Sequence, residues 1–222
     1  MTRNSEGKLA ITVVTLRPRV WRAGIRMTDG DAGAGEGKEM HEYVSLLRGI
    51  NVGGKTLKMD SLLKVYESLG LRDVKSYIQS GNVLFNTTYT DTRSMKEELQ
   101  NRIRSRYGLE VTIIIRNRRE LEKIIEKNPF TESGNRELNR MHVTFLEEGA
   151  KAKLPKSLRP DIDTNDEFRV IGTEIYLYCP EGYGKTVFSN SFFEKKLGVR
   201  ATTRNWKTVT ELHRIANENG AR

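Results

Sequence analysis

The sequence predicts an α+β protein made of two tandem ferredoxin-like (βαββαβ) sandwiches with antiparallel sheets, plus a linking helix and a C-terminal helix. Three observations carry this reading. Short apolar strands come in pairs joined at glycine turns, amphipathic helices separate the pairs, and the order of elements repeats in the second half of the chain.

The first strand is YVSLLRG from Tyr43. Met59, Leu62, Leu63, Tyr66 and Leu69 then recur at helical spacing until Gly70. VKSYIQ and NVLFN read as strands of a hairpin turning at Ser80-Gly81. Met95, Leu99, Ile103 and Tyr107 form one side of a charged helix, and VTIII from Val111 closes the unit. A linking helix carries Leu121, Ile124 and Ile125 and runs toward Asn128-Pro129.

The order then returns. MHVTFL is a strand, residues 150 to 160 are a short helix or loop, and FRVIG and EIYLYC form a hairpin at Gly172-Thr173. Phe188, Phe192 and Leu197 mark a helix, VRATT is the last strand, and Trp206, Val209, Leu212 and Ala216 line the closing helix. The halves share local text as well: Ile114-Ile115-Arg116-Asn117 and Thr202-Thr203-Arg204-Asn205 both end a strand with Arg-Asn before a helix. Each asparagine is placed to cap that helix by accepting from a free backbone N–H of its first turn.

These elements set the expected boundaries: a disordered or non-native extension over 1–39, a first half over 40–117, a linker over 118–140 and a second half over 141–222. The extension is Gly-rich at its end, in DGDAGAGEGKEM. Its apolar run Leu9 to Val14 is too short for a signal peptide, and Glu6, Asp29, Asp31, Glu36 and Glu39 do not suit a mitochondrial presequence. Gly-Lys-Glu before Met40 is encoded by a purine-rich string suited to ribosome recruitment, which makes Met40 the expected native start.

In 222 residues, 36% are hydrophobic and 30% charged, and no apolar run reaches the length of a membrane span. Lys and Arg exceed Asp and Glu by 38 to 29, for a net charge of +9, which suggests an anionic partner. Cys179 is the single cysteine, so no internal disulfide forms; a buried structural thiol in a reducing, cytoplasmic setting is expected. His41, His142 and His213 stand far apart, without metal-ligand spacing, so no metal site is expected.

The stretch from Gly49 reads G-x-x-x-x-G-K-T, the expression for a phosphate-cradling nucleotide loop. Its context does not suit that fold. The helical stripe starts at Met59, three residues after Thr56, whereas the Lys-Thr pair should lie in the first helical turn. Such enzymes also require a parallel sheet, and hairpins dominate this chain.

Three strings, YVSLLRGINVGGK, YIQSGNVLF and TTRNWKTVTEL, together with the N-P-F turn at Asn128 to Phe130, resemble the domain-of-unknown-function family numbered 1697. The resemblance spans about residues 41 to 217. It implies two ferredoxin-like halves and no established activity, and it makes Thr56 a local variation that completes the nucleotide-loop expression by accident.

Candidate ligand-binding residues lie at strand ends. Arg48, Asn51 and Lys55 could hold an anion, with Gly53 and Gly54 allowing close backbone approach. Gln79, Ser80 and Asn82 occupy the first hairpin. Arg204 and Asn205 close the second half, where Arg204 with Thr202 and Thr203 could face the glycine loop; Trp206 is read as core and Lys185 as a surface turn. No nucleophile with a base is evident, so neither a reaction nor a cofactor is assigned. The residues thus favour a small anionic or phosphate-bearing ligand held between the halves. The alternatives are a nucleic-acid-binding module, without an RRM signature, and the disfavoured nucleotide triphosphatase.

Overall fold

In the computed structural model the chain divides into residues 1–38 and a compact unit, Glu39–Arg222. The description concerns the second unit, and within it residues 39–48, 50, 57–78, 81–132, 136–147 and 164–219. The expected extension, and the expected helix or loop at 150 to 160, lie outside the described residues.

The first half runs β1 (His41–Arg48), α1 (Met59–Glu67), β2 (Arg72–Ser76), β3 (Asn82–Thr87), α2 (Thr92–Tyr107) and β4 (Thr112–Asn117). After α3 (Arg118–Glu126) come β5 (Met141–Leu146), β6 (Glu167–Ile171), β7 (Glu174–Tyr178), α4 (Asn190–Leu197), β8 (Ala201–Asn205) and α5 (Trp206–Asn219). The result is an α+β fold with two four-stranded sheets, ordered β2-β3-β1-β4 and β6-β7-β5-β8. Every neighbouring pair is antiparallel. No described helix is long and apolar enough to cross a membrane.

Alternation along the strands separates two buried faces. Val44, Leu46, Leu84 and Ile114 of the first sheet share one core with Val143, Phe145 and Tyr176 of the second. The same core takes Leu121 and Ile124 from α3 and Trp206, Val209, Leu212 and Ala216 from α5. Each buried Val, Leu, Ile or Phe among them contributes about 1.5–3 kcal/mol by leaving water, so the shared core couples the two sheets strongly. On the opposite face of the first sheet Phe85 stacks on Tyr43 at 5.7 Å and lies 5.5 Å from Tyr66 of α1. The opposite face of the second sheet packs Ile175, Leu177 and Cys179 against Phe193 and Leu197 of α4.

Local chemistry explains the helix ends. Asn117 and Glu120 form a reciprocal capping box on α3, and Asn205 Oδ1 accepts from Thr208 N at 2.7 Å on α5. The first hairpin differs in detail from the expectation. β2 ends at Ser76, three residues earlier than VKSYIQ suggests, because Ile78, with φ +50°, leaves the extended conformation; the strand's register also shifts at its start, between Arg72 and Lys75, where Asp73 has φ +51°. In α4 the inward aromatic is Phe193, not Phe192, since Ser189 caps the helix and sets its phase. Phe188 is buried just ahead of that helix, at 4.8 Å from Phe168.

Candidate functional site

Arg204 sits on β8 opposite Val143, on the face of the second sheet that looks toward the first. From there its guanidinium reaches across to the other half. Nε donates to Asn82 Oδ1 at 2.6 Å, and Nη2 donates to the carbonyls of Leu47 at 2.8 Å and Gly81 at 3.4 Å. Nη1 stays at home, donating to Thr202 Oγ1 at 2.8 Å and the Thr203 carbonyl at 2.9 Å. One side chain thus holds the end of β1 and the start of β3 against β8. Burial works against its charge and pulls its pKa below the ordinary guanidinium range, to about 10, so it stays charged at neutral pH.

The backbone beneath it is tight. Leu47 N donates to the Gly81 carbonyl at 2.7 Å, Gly81 has φ +73°, and a Cβ built there would lie 3.0 Å from Leu47 Cβ. Only glycine meets both conditions without strain. Asn82, fully buried, also donates from Nδ2 to the Tyr77 carbonyl at 3.1 Å.

Arg48, at the end of β1, crosses in the opposite direction. Its Nη1 donates to the Ala201 carbonyl at 3.2 Å and pairs with Glu194 of α4, while 30% of its side chain remains exposed. Nearby, Thr203 Oγ1 lies 2.7 Å from Thr144 Oγ1 and donates to Asn190 Oδ1 at 2.7 Å. Tyr183 stacks on His142 at 4.8 Å. Burial pushes the Tyr183 phenol up, and Thr203, Asn190 and the positive charge of Arg48 pull against it.

Of the sequence-derived candidates, Asn82 and Arg204 therefore meet directly, and Arg48 reaches the same strand, β8, at Ala201. Asn205 does not join them: its side chain is spent on capping α5. Asn51, Gly53, Gly54, Lys55, Gln79 and Ser80 lie outside the described residues. Lys185 is exposed in a 3-10 turn and pairs with Glu181 at 3.6 Å. Glu194, Tyr183 and Asn190 escape sequence reasoning because only tertiary packing brings them to this junction.

A second junction repeats this geometry. Val44 opposes Arg116 as Val143 opposes Arg204, and Leu46 opposes Asn82 as Phe145 opposes Glu174. Arg116 duly crosses the other way: Nε donates to Glu174 Oε1 at 2.9 Å, Nη2 to the Leu146 carbonyl at 2.9 Å and Nη1 to the Ile115 carbonyl at 2.9 Å. Glu147, the counterpart of Arg48, pairs with Lys96 of α2 at 2.8 Å. Sequence reasoning singles out Arg204 and passes over Arg116, although the shared Arg-Asn text carries the signal for both.

The family model described as "Protein of unknown function (DUF1697)" matches residues 40–176, more than half of the chain. The chain belongs to DUF1697. This DUF1697 protein is also similar in fold to a solved structure, the conserved bacterial protein SP0830 from Streptococcus pneumoniae, with a TM-score of 0.58 and 24% identity. That match covers 80% of the DUF1697 chain and 99% of the other, and at this identity it speaks to fold alone. No curated protein matches by sequence.

Proposed function

We propose that this DUF1697 protein binds a small anionic, phosphate-bearing ligand at the junction of two tandem ferredoxin-like halves. The tandem reading rests on the β-α-β-β-α-β order of the first half and on the identical placing of strands in both sheets. The observation that carries the ligand reading is the reach of Arg204 to Leu47, Gly81 and Asn82. These residues flank, in sequence, the glycine-rich segment and the Gln79-Ser80 pair, so one buried cation holds described residues next to both candidate segments.

In this reading Arg48, partly exposed, touches the ligand, and Arg204 is a positioning residue that also supplies field. An anion about 7 Å from a guanidinium gains on the order of 2 kcal/mol at an effective dielectric of about 20. Asn51, Gly53, Gly54, Lys55, Gln79 and Ser80 complete the proposed contacts.

Two observations weigh against the other readings. Phe85 and Tyr176, the sheet aromatics that a base-stacking surface would use, are each 1% exposed. β1 is antiparallel to both its neighbours and α1 begins at Met59, after the Lys55-Thr56 pair, unlike a nucleotide-triphosphatase loop.

A thermal-shift screen of the full chain against nucleotides, phosphosugars and coenzymes tests the proposal. At about 100 times Kd a ligand stabilises by about 2.7 kcal/mol, so Tm should rise by roughly 5 °C or more for at least one class. The rise should shrink in Arg48→Gln. A flat response across all three classes contradicts the reading.

A further inference from the structure

The outer end of the shared core is built differently in the two sheets. Glu42 opposes Asn86 where Met141 opposes Tyr178, two residues before Val44 and Val143 respectively. The second sheet fills this place with Met141 and Tyr178 packed into the core, and the first puts a carboxylate there. Glu42 is nine-tenths buried, its side chain 10% exposed; Oε2 lies 3.3 Å from Arg118 Nε, whereas Oε1 is buried with no hydrogen-bond partner among the described residues. Such an atom costs stability, and the repeat shows that the fold can do without it. Burial pushes the Glu42 carboxyl above the ordinary carboxylate range, against the pull of the Arg118 charge.

Glu42 lines a cavity of about 840 Å³, within the size range of small-molecule sites, and the last torsion of a glutamate is soft enough to turn an oxygen toward an incoming donor. Arg72 of β2 and Arg119 of α3 line it too, and neither makes a side-chain hydrogen bond or ion pair among the described residues. Arg72 opposes Asn86 from the other side, so Arg72, Asn86 and Glu42 form one cross-strand row on one face of the sheet. With strands about 4.8 Å apart, the Arg72 and Glu42 backbones stand roughly 10 Å from each other, and their side chains can grip the two ends of a molecule a few bonds long. Asn86 between them is held by its donation to Asp73 Oδ2 at 2.8 Å. We infer that this cavity, at the opposite end of β1 from the Arg48–Arg204 junction, is a separate ligand site that takes an α-amino acid, its ammonium on Glu42 and its carboxylate toward Arg72 and Arg119. Charge decides the class. Four Lys or Arg and three Asp or Glu side chains line the cavity. An anion alone is repelled by Glu42 and leaves Oε1 unpaired, a cation alone meets the arginines, and a zwitterion answers both.

A thermal-shift screen of the full chain against the twenty standard L-amino acids, at constant ionic strength, tests this. At about ten times Kd at least one should raise Tm by roughly 3 °C or more. Its methyl ester and its N-acetyl derivative, which each keep one of the two charges, should lose most of that rise. Glu42→Met copies the repeat. Because Arg118 is 46% exposed and water can take the place of its partner, this variant should unfold at a Tm no lower than wild type, yet lose the rise. Glu42→Gln, which keeps shape and an acceptor but not the charge, should also lose most of it, and Glu147→Gln, on the second sheet, should keep it in full. A flat screen, or a rise that persists in Glu42→Met and Glu42→Gln or with the methyl ester, overturns the inference. So does a Tm of unliganded Glu42→Met well below wild type, which would make Glu42 a structural residue. None of these results decides whether the Arg48–Arg204 junction binds a phosphate-bearing ligand.

Discussion

Arg116 and Glu174 form a pair whose removal has unequal consequences. Taking away Arg116 leaves a carboxylate in a nearly dry site, and breaking a buried pair from one side costs roughly 3–5 kcal/mol. Arg116→Met should therefore lose about that much in urea unfolding, and Arg116→Met combined with Glu174→Met should recover most of it. Equal losses in the single and double variants would show that the charge pair is not what matters. His142 is a second residue-scale test. Burial lowers its pKa below the ordinary 6.5, so the unfolded chain takes up the proton more readily than the folded one. The resulting stability is present above about pH 6.5 and is lost as pH falls below it. His142→Phe keeps an aromatic against Tyr183, and should lose less stability than wild type between pH 7.5 and pH 5.5; matching losses would remove His142 from the acid sensitivity. At this scale the sequence discloses residue type but not company. Arg204 and Asn82 are readable as candidates, whereas their meeting, 122 residues apart, depends on how the sheets pack.

Elements are the scale at which the sequence is most legible, because periodicity and caps are local. β5 follows MHVTFL residue for residue, α1 begins at Met59, and both Arg-Asn boundaries mark the start of a helix. The departures are also local. Asp73 shifts the register of β2, and α4, with only eight residues and adjacent Phe192 and Phe193, is too short for spacing alone to fix its phase. The capping box of α3 gives a direct test of the shared Arg-Asn text. Asn117→Ala should cost about 1 kcal/mol in urea unfolding. A loss below about 0.3 kcal/mol would mean that the cap contributes nothing beyond the helix's own packing.

For the whole molecule, the decisive feature is that the halves are not independent. One core takes side chains from both sheets and from α3 and α5, and each half sends an arginine into the other. Repeat order points to two antiparallel sheets, which are present; it cannot reveal a shared core, since an inward and an outward apolar face look alike in an alternating strand. The nucleotide-loop expression at Gly49 shows the reverse: a strong local pattern set in a sheet of the wrong sense, where β1 pairs antiparallel on both sides. The central claim is that a ligand engages both halves at the Arg48–Arg204 junction. Amide hydrogen exchange of the full chain, with and without saturating pyrophosphate, tests it most directly. The expected result is slowed exchange at Leu47 and Gly81–Asn82 from the first half together with Ala201–Thr203 from the second. Protection confined to one half, or centred on Leu146 and Thr173–Glu174, would contradict it.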